Sequence, residues 1–176
     1  IRDRTRSESK IPYLKSNGVD FPIDTSKKDY ELQIQQIFPN QKITSIFNSV
    51  GGITFKKDIQ LLENSGTLVF FGISDRINQK KGLFQTLLQM LKIGKIHPAI
   101  LILKSQTIVG LNLLEIADKK PQQLLEALKE LVTLRNRNVI KPIAFNKFTW
   151  EEISKAHYGM ENAQFTGKTY INIIDE

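Results

Sequence analysis

Apolar positions along the chain switch repeatedly between short continuous runs and helical spacing, the alternation that builds βαβ units around a parallel sheet. Phe21–Asp24 reads as a short strand. Over 29–38, Tyr30, Ile34, Ile37 and Phe38 share one helical face, and Pro39 with Asn40 ends the helix. Ile43–Val50 predicts the next strand, closed by Gly51 and Gly52. Phe55, Ile59 and Leu62 then recur at helical spacing over 55–63, with Gly66 as the expected stop. Thr67–Ile73 predicts a buried strand. Leu83, Phe84, Leu87, Leu88 and Leu91 predict a helix ending at Gly94, and Thr107–Leu113 predicts one more strand. Pro121 sits where a first helical turn begins, ahead of Leu124, Leu125, Leu128, Leu131 and Val132. Three short elements close the chain: an extended Ile143–Phe148, a helix opened by the capping box Thr149-Trp150-Glu151-Glu152, and a strand Thr169–Ile174.

The expected fold class is α/β, a Rossmann-type doubly wound parallel sheet. A complete dinucleotide-binding half begins with a strand, G-x-G-x-x-G and a helix, and no such motif occurs in the sequence. The sheet as read therefore lacks its first strand and glycine motif. Ile1–Asp3 becomes the tail of the second strand, and Arg4–Ser9 the loop that meets the adenosine ribose.

The chain has 176 residues, 40% hydrophobic and 24% charged, which suits one domain, or one plus part of another, and argues against a disordered tail. It contains no cysteine, so disulfides, thiolate zinc sites and a cysteine nucleophile are excluded within it. A net charge of +7 favours anionic partners. Apart from Arg2, Arg4 and Arg6 the basic residues are scattered, with no stripe interleaved with aromatics, so a phosphate-bearing small molecule fits better than nucleic acid. Apolar runs such as Pro98–Leu103 fall far short of the ~20 residues a bilayer span needs, and no charged-then-apolar leader opens the sequence. A soluble, cytoplasmic protein is expected.

Two strand ends carry candidate chemistry. Asn48-Ser49-Val50-Gly51-Gly52 is equally a plain strand-to-helix turn or a place where backbone approaches a ligand at the carboxyl end of a sheet. Phe70-Phe71-Gly72-Ile73-Ser74 repeats the pattern, and two such ends in a row favour a crevice for a flat cofactor. Arg4, Arg6 and Lys10 suit the extra 2′-phosphate that separates NADP from NAD, unless Asp3 takes the acidic role expected for NAD. Gly167-Lys168-Thr169 resembles the tail of a phosphate-binding loop but fails its spacing, because Asn162 stands where the first glycine belongs and a strand follows where a helix is required. No catalytic residue is assigned. There is no Tyr-x-x-x-Lys pair, His97 reads as a loop residue, His157 as a surface one, and Glu151 and Glu152 as first-turn helix charges.

Ser9-Lys10, Leu14-Lys15-Ser16-Asn17-Gly18-Val19, Pro22-Ile23-Asp24, Asp29-Tyr30, Asn48-Ser49-Val50-Gly51-Gly52 and Gly66-Thr67-Leu68-Val69-Phe70-Phe71-Gly72 follow one another in order. Val109-Gly110-Leu111-Asn112-Leu113, Ile140-Lys141-Pro142, Ala156-His157 and Gly167-Lys168 come after them. In this order and spacing the chain resembles the medium-chain dehydrogenase/reductases, in the zinc-independent quinone oxidoreductase group and its synaptic-vesicle-membrane-protein branch. The resemblance implies residues 1–114 as an N-terminally truncated nucleotide-binding domain, and 115–176 as the C-terminal segment returning to the catalytic domain. It implies an NADPH-dependent hydride transfer to a quinone or an activated carbon–carbon double bond, with an enoyl thioester reductase or a non-catalytic adaptor as alternatives.

By the same resemblance, Lys10 meets the NADP 2′-phosphate and Arg4 and Thr5 form the ribose loop. Asn48, Ser49, Val50 and Gly51 flank the adenosine, Phe71, Gly72 and Ile73 with Gly110, Leu111, Asn112 and Leu113 line the nicotinamide, and Lys168 approaches the pyrophosphate. Thr25 departs from the tyrosine common in related sequences. No metal site is implied, a small-molecule substrate is, and relatives pair through the 107–113 strand, so a homodimer is expected; membrane association stays open. The family's glycine motif and amino-terminal catalytic domain lie upstream of Ile1, and a chain beginning there is expected to lack activity.

Overall fold

The computed structural model describes residues 2–5, 7–26, 29–72, 96–141, 145–162 and 164–173. Arg6, Ile73, the 83–91 helix with its stop at Gly94, Ile143 and Ile174 lie outside the described residues. The chain forms two compact units, Ile1–Lys28 with Leu125–Glu176, and Asp29–Leu124.

In the first unit β1 (Arg2–Thr5) pairs parallel with β2 (Phe21–Asp24), Arg4 standing opposite Ile23. A 3-10 turn at Glu8–Lys10 leads into α1 (Ile11–Ser16), with Pro12 in its first turn, where a missing N–H costs nothing. Val19 and Ile23 are buried beneath this crossover.

The second unit holds α2 (Tyr30–Ile37), β3 (Ile43–Asn48), α3 (Ile53–Leu61) and β4 (Leu62–Phe70). After these come α4 (Pro98–Lys104), β5 (Thr107–Gly110) and α5 (Leu113–Lys119). Its strands form a parallel sheet in the order β3-β4-β5. Leu68 sits opposite Ile46 on one side and Ile108 on the other. It is fully buried with Phe55 and Leu62, and Ile46, Ile59, Phe70, Ile96 and Ile108 pack around them.

Two boundaries differ most from the sequence expectation; the strand read as Ile43–Val50 also stops short, at Asn48. The helix over 55–63 ends at Leu61, and Gly66 does not stop it; Leu62, buried and opposite Ile43, already belongs to β4. The register shifts between Ile43 and Ser45, with Ser65 at φ +65, and Gly66 lies within this irregular stretch of strand. The buried Gln106 amide donates to the Leu62 and Glu63 carbonyls at 3.2 and 3.1 Å, so acceptors there are met by a side chain. The second difference is the 107–113 strand, which stops at Gly110: the Asn112 carboxamide accepts from the Leu114 and Glu115 N–H groups and caps α5, so Leu113 is helical.

Helix α6 spans Pro121–Asn136, and its Leu125, Leu128, Leu131 and Val132 stand 44–58% exposed. Returning in the first unit, β6 (Phe145–Thr149) pairs parallel with β7 (Lys168–Asn172), and α7 (Ile153–Glu161) connects them. The expected capping box forms, the Thr149 N–H donating to Glu152 Oε2 at 3.4 Å. Gly159 is required by packing: a Cβ there would lie 2.1 Å from the Phe165 ring, which also meets Phe148 at 5.3 Å between centroids.

Candidate functional site

The second unit's three parallel strands end together, the arrangement that in open α/β sheets places a ligand beyond the carboxyl edge. The ladder continues past the strands proper: the Phe71 N–H donates to the Asn48 carbonyl at 3.0 Å and the Leu111 N–H to the Phe70 carbonyl at 2.8 Å. Asn48, Ser49, Val50 and Gly51, then Phe71 and Gly72, then Gly110 and Leu111 are thereby brought to one crest. Asn112 and Leu113 follow at the start of α5, with the Asn112 side-chain oxygen committed to the cap.

Glycine decides how closely these turns approach. A Cβ on Gly72 would lie 2.5 Å from the Ser49 carbonyl oxygen, and one on Gly51 would meet the Gly72 carbonyl at 3.2 Å and the Phe70 ring at 3.3 Å. Gly51 also has φ +76, a conformation other residues adopt at a cost. At the end of β5 the opposite holds, because a Cβ on Gly110 would meet nothing within 4 Å among the described residues. Phe71 and Leu111 are 44% and 39% exposed beside that open space, which suits an apolar ring.

Behind the crest lies a buried polar group that the sequence reading missed. Asn48, Asp58 and Tyr30 are 0%, 2% and 6% exposed. The Asn48 carboxamide oxygen accepts from the Val50 and Gly51 N–H groups at 2.8 and 2.9 Å, while its NH2 donates to Asp58 Oδ2 and, at 3.0 Å, to Thr54 Oγ1. Thr54 Oγ1 in turn donates to the Gly51 carbonyl at 2.6 Å. The Tyr30 hydroxyl lies 2.8 Å from Asp58 Oδ1, with the Thr54 carbonyl a second acceptor at 3.1 Å. One signal did point here. Asp58 stands three residues after Phe55 and four before Leu62, on the apolar face of its helix, where a carboxylate needs partners.

In the first unit, Arg4 and Thr5 end β1. The Thr5 hydroxyl closes the turn with Ser7, donating to its carbonyl at 3.1 Å, and the Thr5 carbonyl accepts from Thr25 N and Oγ1 at 2.8 and 2.9 Å. Thr25 thus contributes a link between β1 and the residues after β2. Lys10 donates from Nζ to the Phe165 carbonyl at 2.9 Å, in the segment that leads into β7, where Lys168 is exposed. His97 lies in the loop before α4 and also caps that helix, its Nδ1 accepting from the Ala99 N–H at 3.3 Å, and His157 is exposed. Among the described residues no group of His, Asp or Glu is placed to hold a metal ion, and no helix is long and apolar enough to cross a membrane.

The sequence profile of the zinc-binding dehydrogenases matches residues 5–131, most of the chain and the whole crest. The chain belongs to the zinc-binding dehydrogenase family. Within it, the similarity runs to the quinone oxidoreductase-like members of the medium-chain dehydrogenase/reductases. The synaptic vesicle membrane protein VAT-1 of Tetronarce californica is 26% identical over 169 residues, covering 94% of this chain and 43% of that protein. The fold of a Pseudomonas syringae quinone oxidoreductase superposes with a TM-score of 0.67 at 19% identity, over 97% of this chain and 48% of that one. The CurK enoyl reductase gives 0.67 at 20% identity, over 96% of this chain and 46% of that one. The chain therefore spans less than half the length of these relatives, and its α/β architecture of parallel strands is that of their Rossmann-like C-terminal region.

Proposed function

We propose that this protein is an NADPH-dependent oxidoreductase that transfers hydride to a quinone or to an activated carbon–carbon double bond. The observation that carries the reading is the crest of three parallel strand ends, in which Gly51 and Gly72 draw two turns together and Gly110 leaves open space beside exposed Phe71 and Leu111. These residues fit a flat dinucleotide: backbone approaches it, apolar side chains flank its rings, and among the described residues no bulky group stands over Gly110. When bound, the reduced nicotinamide supplies the hydride. The chain's own part is to hold and orient the cofactor at the crest and to keep water from it.

The preference for NADPH rests on Arg4, Thr5 and Lys10 at the end of β1, with Lys168 a further basic residue of the same unit. Lys10 lies in the 3-10 turn that follows β1 and donates from Nζ to the Phe165 carbonyl, and an ammonium has three donors, which suits it to a phosphate as well. We further propose that catalysis is metal-free, as the resemblance to the zinc-independent group implies; this part of the protein offers no cysteine and two histidines, one capping a helix and one exposed, and so supplies no zinc site of its own. Elemental analysis of the full-length protein is expected to find no stoichiometric zinc. We also propose a homodimer formed through the edge of β5, and cytoplasmic residence.

Turnover decides the reading. The full-length protein is expected to oxidise NADPH with a panel of quinones and conjugated enones. Oxidation only with enoyl thioesters would select the reductase alternative to which the CurK likeness lends support. Absence of both binding and turnover with NADPH or NADH would leave a non-catalytic adaptor.

A further inference from the structure

Behind the Asn48–Gly52 turn stands the buried carboxylate of Asp58, bonded to the Asn48 NH2. An asparagine carboxamide presents an acceptor on one side and donors on the other, and nothing in the amide itself dictates which way it faces. Its neighbours on both sides supply the direction. The Val50 and Gly51 N–H groups only donate and take the Asn48 carboxamide oxygen, and on the other side Asp58 Oδ2 accepts from the Asn48 NH2 and braces the amide in that orientation. Turned over, the amide would set its NH2 against two backbone donors and its oxygen against the carboxylate, leaving several buried groups unsatisfied. The Tyr30 hydroxyl holds the other oxygen of Asp58, and Thr54 completes the circuit by bonding both the Asn48 NH2 and the Gly51 carbonyl.

We propose that Asp58, braced by Tyr30, is a positioning residue: through the Asn48 carboxamide it sets the Asn48–Gly52 turn in the form that receives the nicotinamide cofactor. The inference rests on the cofactor reading of the crest. It adds to that reading a residue one layer behind the site and a direction of influence, from helix α3 through Asn48 to the backbone donors of the turn.

The test uses the full-length protein and the variants Asp58→Asn, Asn48→Ala, their combination, and Tyr30→Phe. Each of the first two is expected to raise the Kd for NADPH about tenfold, the effect of one lost buried hydrogen bond to a charged group. The double variant is expected to bind no worse than the weaker single one, since both act through one contact. In Asp58→Asn, the KM for NADPH should rise while kcat at saturating cofactor stays within about twofold. Amide exchange supplies a readout free of the cofactor: the Val50 and Gly51 N–H groups should exchange faster in Asp58→Asn, and in the same direction in Tyr30→Phe, which keeps the carboxylate and serves if Asp58→Asn does not fold.

Unchanged exchange at Val50 and Gly51 would overturn the positioning role, as would a loss of thermal stability without any change in cofactor affinity. If the wild-type protein binds neither NADPH nor NADH, the cofactor reading fails by itself, and exchange at the two amides alone decides whether Asp58 sets the turn.

Discussion

The ammonium of Lys10 and the carbonyl of Phe165, 155 residues apart in sequence, meet at 2.9 Å. The contact fastens the turn after β1 to the segment that leads into β7. The same Phe165 closes its ring over Gly159 and against Phe148, so one residue ends a helix connection on its side chain and anchors a cation on its backbone. A lysine read in the sequence as a phosphate ligand is thus also a structural tie.

Lys10→Ala separates these roles. Loss of a charge-assisted contact to a phosphate weakens binding by about 1 to 3 kcal/mol, and NADPH is expected to lose that much while NADH is nearly unaffected. The tie to Phe165 is a part-buried bond from a charged donor, so the accompanying loss of folding stability should be up to about 3 kcal/mol, and any effect of it on binding falls equally on both cofactors' titrations. Titration of both cofactors by fluorescence, beside urea denaturation, reads the two effects. Equal losses for NADPH and NADH would remove the 2′-phosphate from Lys10.

Gly72→Ala should destabilise the second unit. The new methyl would lie 2.5 Å from the Ser49 carbonyl oxygen, a backbone atom that moves only with its strand end, and overpacking of this kind costs about 1 to 3 kcal/mol. Gly110→Ala is the matched control, because its methyl enters open space, and its cost should stay below about 1 kcal/mol. Equal denaturation midpoints for the two variants would mean that the turns do not approach as described.

The capping box makes a pH prediction. The Glu152 carboxyl is held below its ordinary value first by the Lys155 side-chain hydrogen bond and then by the Thr149 N–H. Glu151 is held down first by its own backbone N–H and then by the Thr149 side chain, against the charge of Glu152. A carboxyl with a folded pKa below its unfolded 4.5 contributes stability that is present above 4.5 and is lost as pH falls through the lowered folded value. The stability difference between wild type and Glu152→Gln should therefore shrink as pH is taken from about 6 to about 3, followed by urea denaturation at each pH. A difference independent of pH over that range would deny the cap its charge.

Much of this was legible in the sequence because the signals were local. Pro121 opens α6, Thr149 with Glu152 caps the turn before α7, and the apolar run to Asn48 followed by two glycines marks a strand end. Boundaries failed where distant groups decided them. Gly66 looked like a helix stop, but Leu62 was drawn into β4 by burial beside Leu68 and by pairing with Ile43, neither of which is visible in a window of neighbours. Leu111–Leu113 looked like continuing strand because its residues are mostly apolar, and the Asn112 cap outweighed that pattern. The Tyr30–Asp58–Asn48 group escaped notice because its members come from three separate elements, and only the fold sets a phenol 2.8 Å from a carboxylate 28 residues away.

The last prediction concerns the edge of β5. Thr107–Gly110 pairs with β4 along one side, in register from Thr67 opposite Thr107 to Phe70 opposite Gly110, and no described strand pairs with its other side. Val109 and, just beyond the strand, Leu111 are 38% and 39% exposed. Neither lysine nor proline, the usual guards of a free edge, occurs within the strand. A four-residue strand is a short edge, shorter than the seven-residue run read from the sequence, and in the proposed twofold dimer each copy's edge would meet its own counterpart antiparallel, as an isologous interface requires. Light scattering on the full-length protein is expected to give a dimer mass across micromolar concentrations. The Leu111 N–H bonds the Phe70 carbonyl, so by alternation the Gly110 N–H faces the free edge. Gly110→Pro removes that outward donor and sets a ring at the edge, and should shift the mass towards monomer, while Gly110→Ala, which keeps the N–H, should remain dimeric. A strictly monomeric wild type would refute edge pairing, and so would a Gly110→Pro protein that folds and still forms the dimer.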